Sequence, residues 1–146
     1  MEELAPLAIL LVEDDLADQK LVKISLRNEK IANDLYTVQT GEEGLDFLHR
    51  RGNYSDGITQ PDLILLDLNM PGMGGKEFLR QIKADEKLKQ IPVVILTTSE
   101  AEKDIIDSYK LQASGYVHKP VTLGEFKEAM KKLKEYWFVL CKRVPK

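Results

Sequence analysis

Residues 63–67 read Leu-Ile-Leu-Leu-Asp, four apolar side chains in a row closed by a carboxylate. A strand with one wet face alternates apolar and polar residues. An unbroken apolar run of this length suits a strand covered on both faces, as inside a parallel sheet. The same character returns at Ala8–Val12, at Val93–Leu96 and, in shorter form, at Gly115–Val117, while Leu35–Val38 has the composition of a fifth strand. Segments with helical spacing lie between and after these runs. Ala17, Leu21 and Ile24 mark the first, Leu45 and Leu48 the second, and Phe78, Leu79 and Ile82 the third. Ile105, Ile106 and Tyr109 mark the fourth, and a long stripe from Leu123 through Phe126, Met130, Leu133, Trp137 and Leu140 marks the last. Thr40-x-x-Glu43, Ser99-x-x-Glu102 and Thr122-x-x-Glu125 have the form of a capping box, in which hydroxyl and carboxylate satisfy orphan amides at a helix start. Strand and helix therefore alternate five times. Right-handed crossovers of this kind generate a doubly wound α/β fold, an open five-stranded parallel sheet with helices on both faces.

The chain of 146 residues has the length of one domain. The domain expected is 1–146, with a short N-terminal tail over 1–6 and an extended C-terminal helix and tail over 137–146. A net charge of −3 argues against nucleic acid as the main partner. Residues 127–146 do hold seven basic groups and two acids, which reads as a solvated helix face and loose tail. Cys141 is the only cysteine, so neither a disulfide framework nor a thiolate metal cluster forms within one chain. The longest apolar runs fall far short of the ~20 residues needed to cross a bilayer. With no export signal ahead of them, the cytoplasm is the expected compartment and no membrane is expected as partner. The polar stretch Arg50–Gln60 reads as a mobile surface loop.

Chemistry gathers at the strand ends. The first strand runs into Glu13-Asp14-Asp15, the third into Asp67, the fourth into Thr97-Thr98, and the fifth into His118-Lys119. In an open α/β sheet these positions all lie at the carboxyl edge, where ligands bind at the switch in strand order. Carboxylates brought together in a dry cleft need a countercharge, and a hard divalent cation such as Mg²⁺ supplies one while keeping waters and phosphate oxygens in its shell. An Asp can act as nucleophile toward phosphorus, and Lys119 is a point charge suited to a phosphoryl group. Metal, nucleophile, hydroxyl and ammonium together describe a phosphoryl-transfer site.

On these residues the sequence resembles the receiver domains of two-component response regulators, in particular the single-domain chemotaxis type. The matching stretches are LLVEDD at 10–15, LILLDLNMPGMGG at 63–75, VVILTTS at 93–99 and SGYVHKP at 114–120, in the family's order and over roughly residues 7–136. The resemblance implies the flavodoxin-like strand order 2-1-3-4-5. It implies that Asp67 accepts the phosphoryl group, that Asp14 ligates Mg²⁺ directly and Glu13 through water, and that the backbone carbonyl of Asn69 completes the protein ligands. Thr97 would hydrogen-bond the phosphoryl group, Lys119 would pair with it, and Tyr116 would be the switch aromatic. The Lys119-Pro120 bond is expected to be cis. Asn69 and Ser99 would tune water access to the site. The partners implied are a histidine kinase and a downstream protein or phosphotransfer protein. Such a chain is a phospho-accepting switch rather than an enzyme, with self-phosphorylation and autodephosphorylation as its own chemistry. The loop at 50–60 and the aromatic tail Tyr136-Trp137-Phe138 look like the receivers partnered with bacterial phytochromes.

The resemblance leaves several points open. The acid pair reads as Glu13-Asp14 with Asp15 at the start of the first helix, and as Asp14-Asp15 in the alternative register. Thr98 follows Thr97 where many relatives carry Ala. Trp137 and Phe138 either close the base of the domain or form a homodimer contact. An unphosphorylated docking module would share the fold but have no use for the full set of site residues. A Mg²⁺-dependent phosphohydrolase with an aspartyl-phosphate intermediate would place an Asp where Asn69 stands. A flavin binder would need a Ser/Thr/Gly-rich loop where the three acids stand, and the segment at 71–76 lacks the spacing of a nucleotide phosphate loop. His49 and His118 lack partners at metal spacing, and Met70, Met73 and Met130 read as packing residues.

Overall fold

A computed structural model of the chain describes residues 7–27, 33–54, 60–68, 70, 72–97, 110 and 115–118. In chain order these form β1 (Leu7–Val12), α1 (Leu16–Arg27), β2 (Asn33–Val38), α2 (Gly41–His49), a single 3-10 turn at Gly52–Tyr54, β3 (Leu63–Asp67), α3 (Gly75–Ala84), β4 (Val93–Thr97) and β5 (Gly115–His118). The five strands make one sheet in the order β2-β1-β3-β4-β5, every neighbouring pair parallel. Each expected strand is present, within two residues of the boundary expected at either end.

The apolar runs are continuous because both faces of the sheet are covered. Leu10, Val12, Ile64, Leu66, Val93 and Ile95 point to one side and pack with Leu45, Phe47 and Leu48 of α2 and Phe78, Leu79 and Ile82 of α3. Ile9, Leu11, Leu63, Leu65, Val94 and Leu96 point to the other side, where Val22 of α1 covers them. The alternation is thus between two cores rather than between core and water. At the rim where β1 begins, Asp62 ties the strands together. Its Oδ2 accepts from the Ala8 N–H at 3.0 Å, and its own N–H donates to the Ala8 carbonyl at 2.7 Å.

Three local expectations need correction. On α1 the inward face is Gln19 and Val22, with Leu21 of the expected stripe half-buried and packed against the same core, whereas Ala17 is exposed and Ile24 is 41% exposed. The cause is a pair of polar bonds at the helix start. Asp15 caps it through Oδ1, and the Gln19 amide reaches back to the Glu13 carbonyl at 2.6 Å, which turns that side of the helix inward. On α2, Thr40 caps as expected, accepting from the Glu43 N–H at 3.0 Å, but the Glu43 carboxylate accepts from the Tyr54 hydroxyl at 2.7 Å. The stretch after α2 is therefore not uniformly loose. The Tyr54 ring packs 5.2 Å from that of Phe47, and the Gln60 amide donates to the Leu48 carbonyl.

The fourth and fifth helical stripes, the capping boxes at Ser99 and Thr122, Thr98, the Lys119-Pro120 bond and the aromatic tail with its dimer contact lie outside the described residues. Lys83 of α3 donates to the carbonyls of Lys89 and Ile91, both at 3.0 Å, and so folds the connection to β4 against the helix. Burial lowers its pKa from the ordinary lysine value.

Two predictions test this packing. Phe78 is wholly buried between α3 and the sheet, so Phe78→Ala should cost about 3–5 kcal/mol in urea unfolding. Burial, the hydrogen bond to Glu43 and the nearby Glu43 and Asp46 charges push the Tyr54 phenol up to about 12. A raised acid pKa means that the folded state holds the proton more tightly. The stability this link contributes is therefore complete below pH 10 and fades as pH rises toward 12. Phenolate absorbance of the wild type minus that of Tyr54→Phe should show the late titration.

Candidate functional site

The register of the sheet decides which side chains meet. Val12 pairs with Leu66, so the residue after β1 and the last residue of β3 arrive side by side at the carboxyl edge. Glu13 is placed there by its N–H, which donates to the Val38 carbonyl at 3.0 Å, and by the Gln19 amide on its own carbonyl. It is fully buried, Asp67 is 4% exposed, and Asp14 faces solvent. One carboxylate oxygen from each of Glu13, Asp14 and Asp67 lies within 4.8 Å of the other two.

Asp15 is not part of this group. Its Oδ1 accepts from the N–H groups of Ala17 at 2.8 Å and Asp18 at 3.1 Å, an N-cap whose carboxylate also suits the positive end of the helix. The acids that face Asp67 are therefore Glu13 and Asp14.

The remaining sequence candidates divide into those whose backbone is placed and those outside the described residues. Leu96 pairs with Asp67, and Thr97, the last residue of β4, follows it at the same edge and pairs with His118. Tyr116 lies in β5 opposite Ile95, two residues back from that edge. Asn69 and Lys119 lie outside the described residues. Lys119 follows His118, the last residue of β5, directly in sequence.

Two supporting residues have no role assigned from the sequence, although Gly75 closes the 63–75 stretch. Gly75 opens α3 against the back of the site. A Cβ there would overlap the Asp67 carbonyl and the Leu68 Cα, so only glycine lets the helix start this close to the end of β3. Its N–H donates to the Leu68 carbonyl at 3.1 Å and closes the connection into a loop. Gln19 is the other, a polar residue on the inward face of α1 whose amide reaches back six residues to the Glu13 carbonyl ahead of the helix.

Three carboxylate oxygens this close, two of the residues dry, form a strongly negative pocket. Their donor set is all oxygen, which suits a hard divalent cation, with the exposed side at Asp14 left for water or substrate oxygens. The residues present thus fit such an ion. What the arrangement can do chemically is hold a cation against a carboxylate able to attack phosphorus. Among the described residues no helix is long and apolar enough to cross a membrane.

Comparison with known proteins agrees with this chemistry. Residues 9–131 match the family model of the response regulator receiver domain. The response regulator Rcp1 of Synechocystis sp. is 40% identical over 132 residues, covering 90% of this chain and 89% of that one. The crystal structure of the phosphorylated cyanobacterial phytochrome response regulator RcpA superposes with a TM-score of 0.80 at 41% identity, over 92% of this chain and 95% of that one. A Mn²⁺-bound form of Rcp1 gives 0.79 at 40% identity, over 90% and 94%. The family model, matched over most of the chain, and these relatives at about 40% identity carry one conclusion: the chain belongs to the response regulator receiver domain family, the phospho-accepting switches of two-component signalling.

Proposed function

We propose that this chain is a cytoplasmic receiver whose phospho-acceptor is Asp67, that Mg²⁺ is its cofactor, and that its donor is the phosphohistidine of a histidine kinase of the phytochrome type. The observation that carries the reading is the convergence of Glu13, Asp14 and Asp67 within 4.8 Å at the carboxyl edge of the sheet. The phytochrome association of RcpA supports the class of kinase.

In this reading Asp14 would hold the ion directly and Glu13 through water, with Asp67 and the Asn69 carbonyl as the remaining protein ligands. An ion held there would supply charge neutralisation at the phosphoryl oxygens. An Asp67 carboxylate oxygen attacks phosphorus in line as the phosphorus–nitrogen bond of the donor breaks, and the electron pair returns to the imidazole, which takes up a proton. Lys119 pairs with the transferred group and Thr97 donates a hydrogen bond to it. The product adds roughly −1.5 to −2 charge at the edge of the sheet. Movement of Thr97 toward that charge and of Tyr116 into the space it leaves would change the surface around β5 that a downstream protein or phosphotransfer protein reads. Hydrolysis of the acyl phosphate returns the carboxylate and inorganic phosphate, so the signal decays through the domain's own chemistry.

Incubation with acetyl phosphate and Mg²⁺ should add one phosphoryl group to the intact mass. The adduct should be absent with EDTA and absent in Asp67→Asn. A wild-type chain that stays unmodified, and that also fails to bind beryllofluoride, would favour a docking module instead. The cation should also stabilise the fold, because it binds the native acid cluster and not the unfolded chain. At a concentration about 100 times its dissociation constant the gain is about 2.7 kcal/mol. Thermal melts in Mg²⁺ and in EDTA should separate accordingly for the wild type and coincide for Asp14→Asn.

A further inference from the structure

Glu42 stands in the first turn of α2, outside the acid cluster. Its Oε1 accepts a hydrogen bond from the Met73 backbone N–H at 3.1 Å, across 31 residues of sequence. A bond from an amide to a carboxylate is charge-assisted and so among the stronger kinds. The turn at Gly72 and Met73 is shaped to receive it. Gly72 has φ 77°, and the space its missing side chain leaves is taken by the Glu42 carboxylate, with Oε2 3.1 Å from where a Cβ would stand. Met73 returns the contact: its Sδ lies 3.2 Å from the corresponding point on Gly41, in the same turn of α2. The tip of the β3–α3 connection is thereby clasped to α2 on two sides. Its root is fixed at the site, where Gly75 presses on the Asp67 carbonyl and closes the loop onto Leu68.

We infer that Glu42 is a positioning residue for Asp67: by holding the Met73 N–H it fixes the β3–α3 connection, and through that connection it keeps the Asp67 carboxylate at ion-sharing distance from Glu13 and Asp14. The inference rests on the reading of those three acids as the metal site. A rigid connection behind a ligand matters because ligand atoms must be held close to their bound geometry before the ion arrives. The acceptor oxygen, rather than the net charge of Glu42, is what the turn requires.

The test uses the full chain and Mn²⁺ alone as probe, with affinity read from the paramagnetic resonance of the free ion and thermal melting in EDTA measured beside it. Glu42→Ala should weaken Mn²⁺ binding about tenfold, the size of effect that residues supporting a metal ligand produce. Glu42→Gln keeps an oxygen able to accept from Met73 and should recover most of the affinity. Gly72→Ala attacks the clasp from the other side and should give a loss like that of Glu42→Ala. Wild-type affinity in Glu42→Ala, or an equal loss in the Ala and Gln variants, would overturn the positioning role. Asp14→Asn separates this from failure of the site itself: loss of binding there leaves the metal site standing, whereas wild-type affinity in Asp14→Asn would remove the site and the role of Glu42 with it.

Discussion

Ionised carboxylates within 4.8 Å of one another repel, and more strongly as water is withdrawn, yet Glu13 and Asp67 are both held in a dry edge of the sheet. The backbone sets that arrangement. It is imposed by the pairing of β1 with β3, which aligns Val12 with Leu66 and leaves the next residue of each strand no choice of neighbour. That pairing is sustained by two apolar cores, one on each face, so the stability of the sheet is what keeps the acids together. A cation relieves the repulsion. The site is therefore assembled by folding in a state that favours the ion.

Around that cluster the helices serve as braces more than as walls. α1 starts with Asp15 satisfying two of its own amides and holds the Glu13 backbone through Gln19. α2 uses two successive acids for two different tasks: Glu42 reaches the connection that follows β3, and Glu43 holds Tyr54 in the segment that precedes it. α3 begins at a glycine because anything larger would displace the end of β3. Each brace ends on backbone or on an aromatic side chain.

The sheet was legible because its signal is repeated and local: an apolar run closed by a polar residue, met at Val12, Leu66 and Leu96 alike. Burial on both faces removed any ambiguity of strand face. The identity of the facing acids was less legible, since Glu13, Asp14 and Asp15 are interchangeable by type and only the capping geometry of Asp15 separates them. The inward face of α1 was misread for a related reason. Apolar spacing pointed to Ala17 and Ile24, while a buried glutamine bonded to a carbonyl overrode it. Glu42 could not be found at all from spacing, because its partner is a backbone amide 31 positions away and any exposed acid in a first helical turn reads as a dipole partner.

The Asp62 bracket on Ala8 sits at the far rim of the sheet from the acids. β1 spans six residues, about 20 Å at roughly 3.3 Å per residue, so the chain enters the sheet one full strand length from Glu13. The backbone of β1 thus runs the height of the sheet between the Asp62 bracket and the acid pocket. A strain introduced at that rim reaches Glu13 only along a full strand, so the entry of the chain into the sheet and the geometry of the acids are mechanically separated.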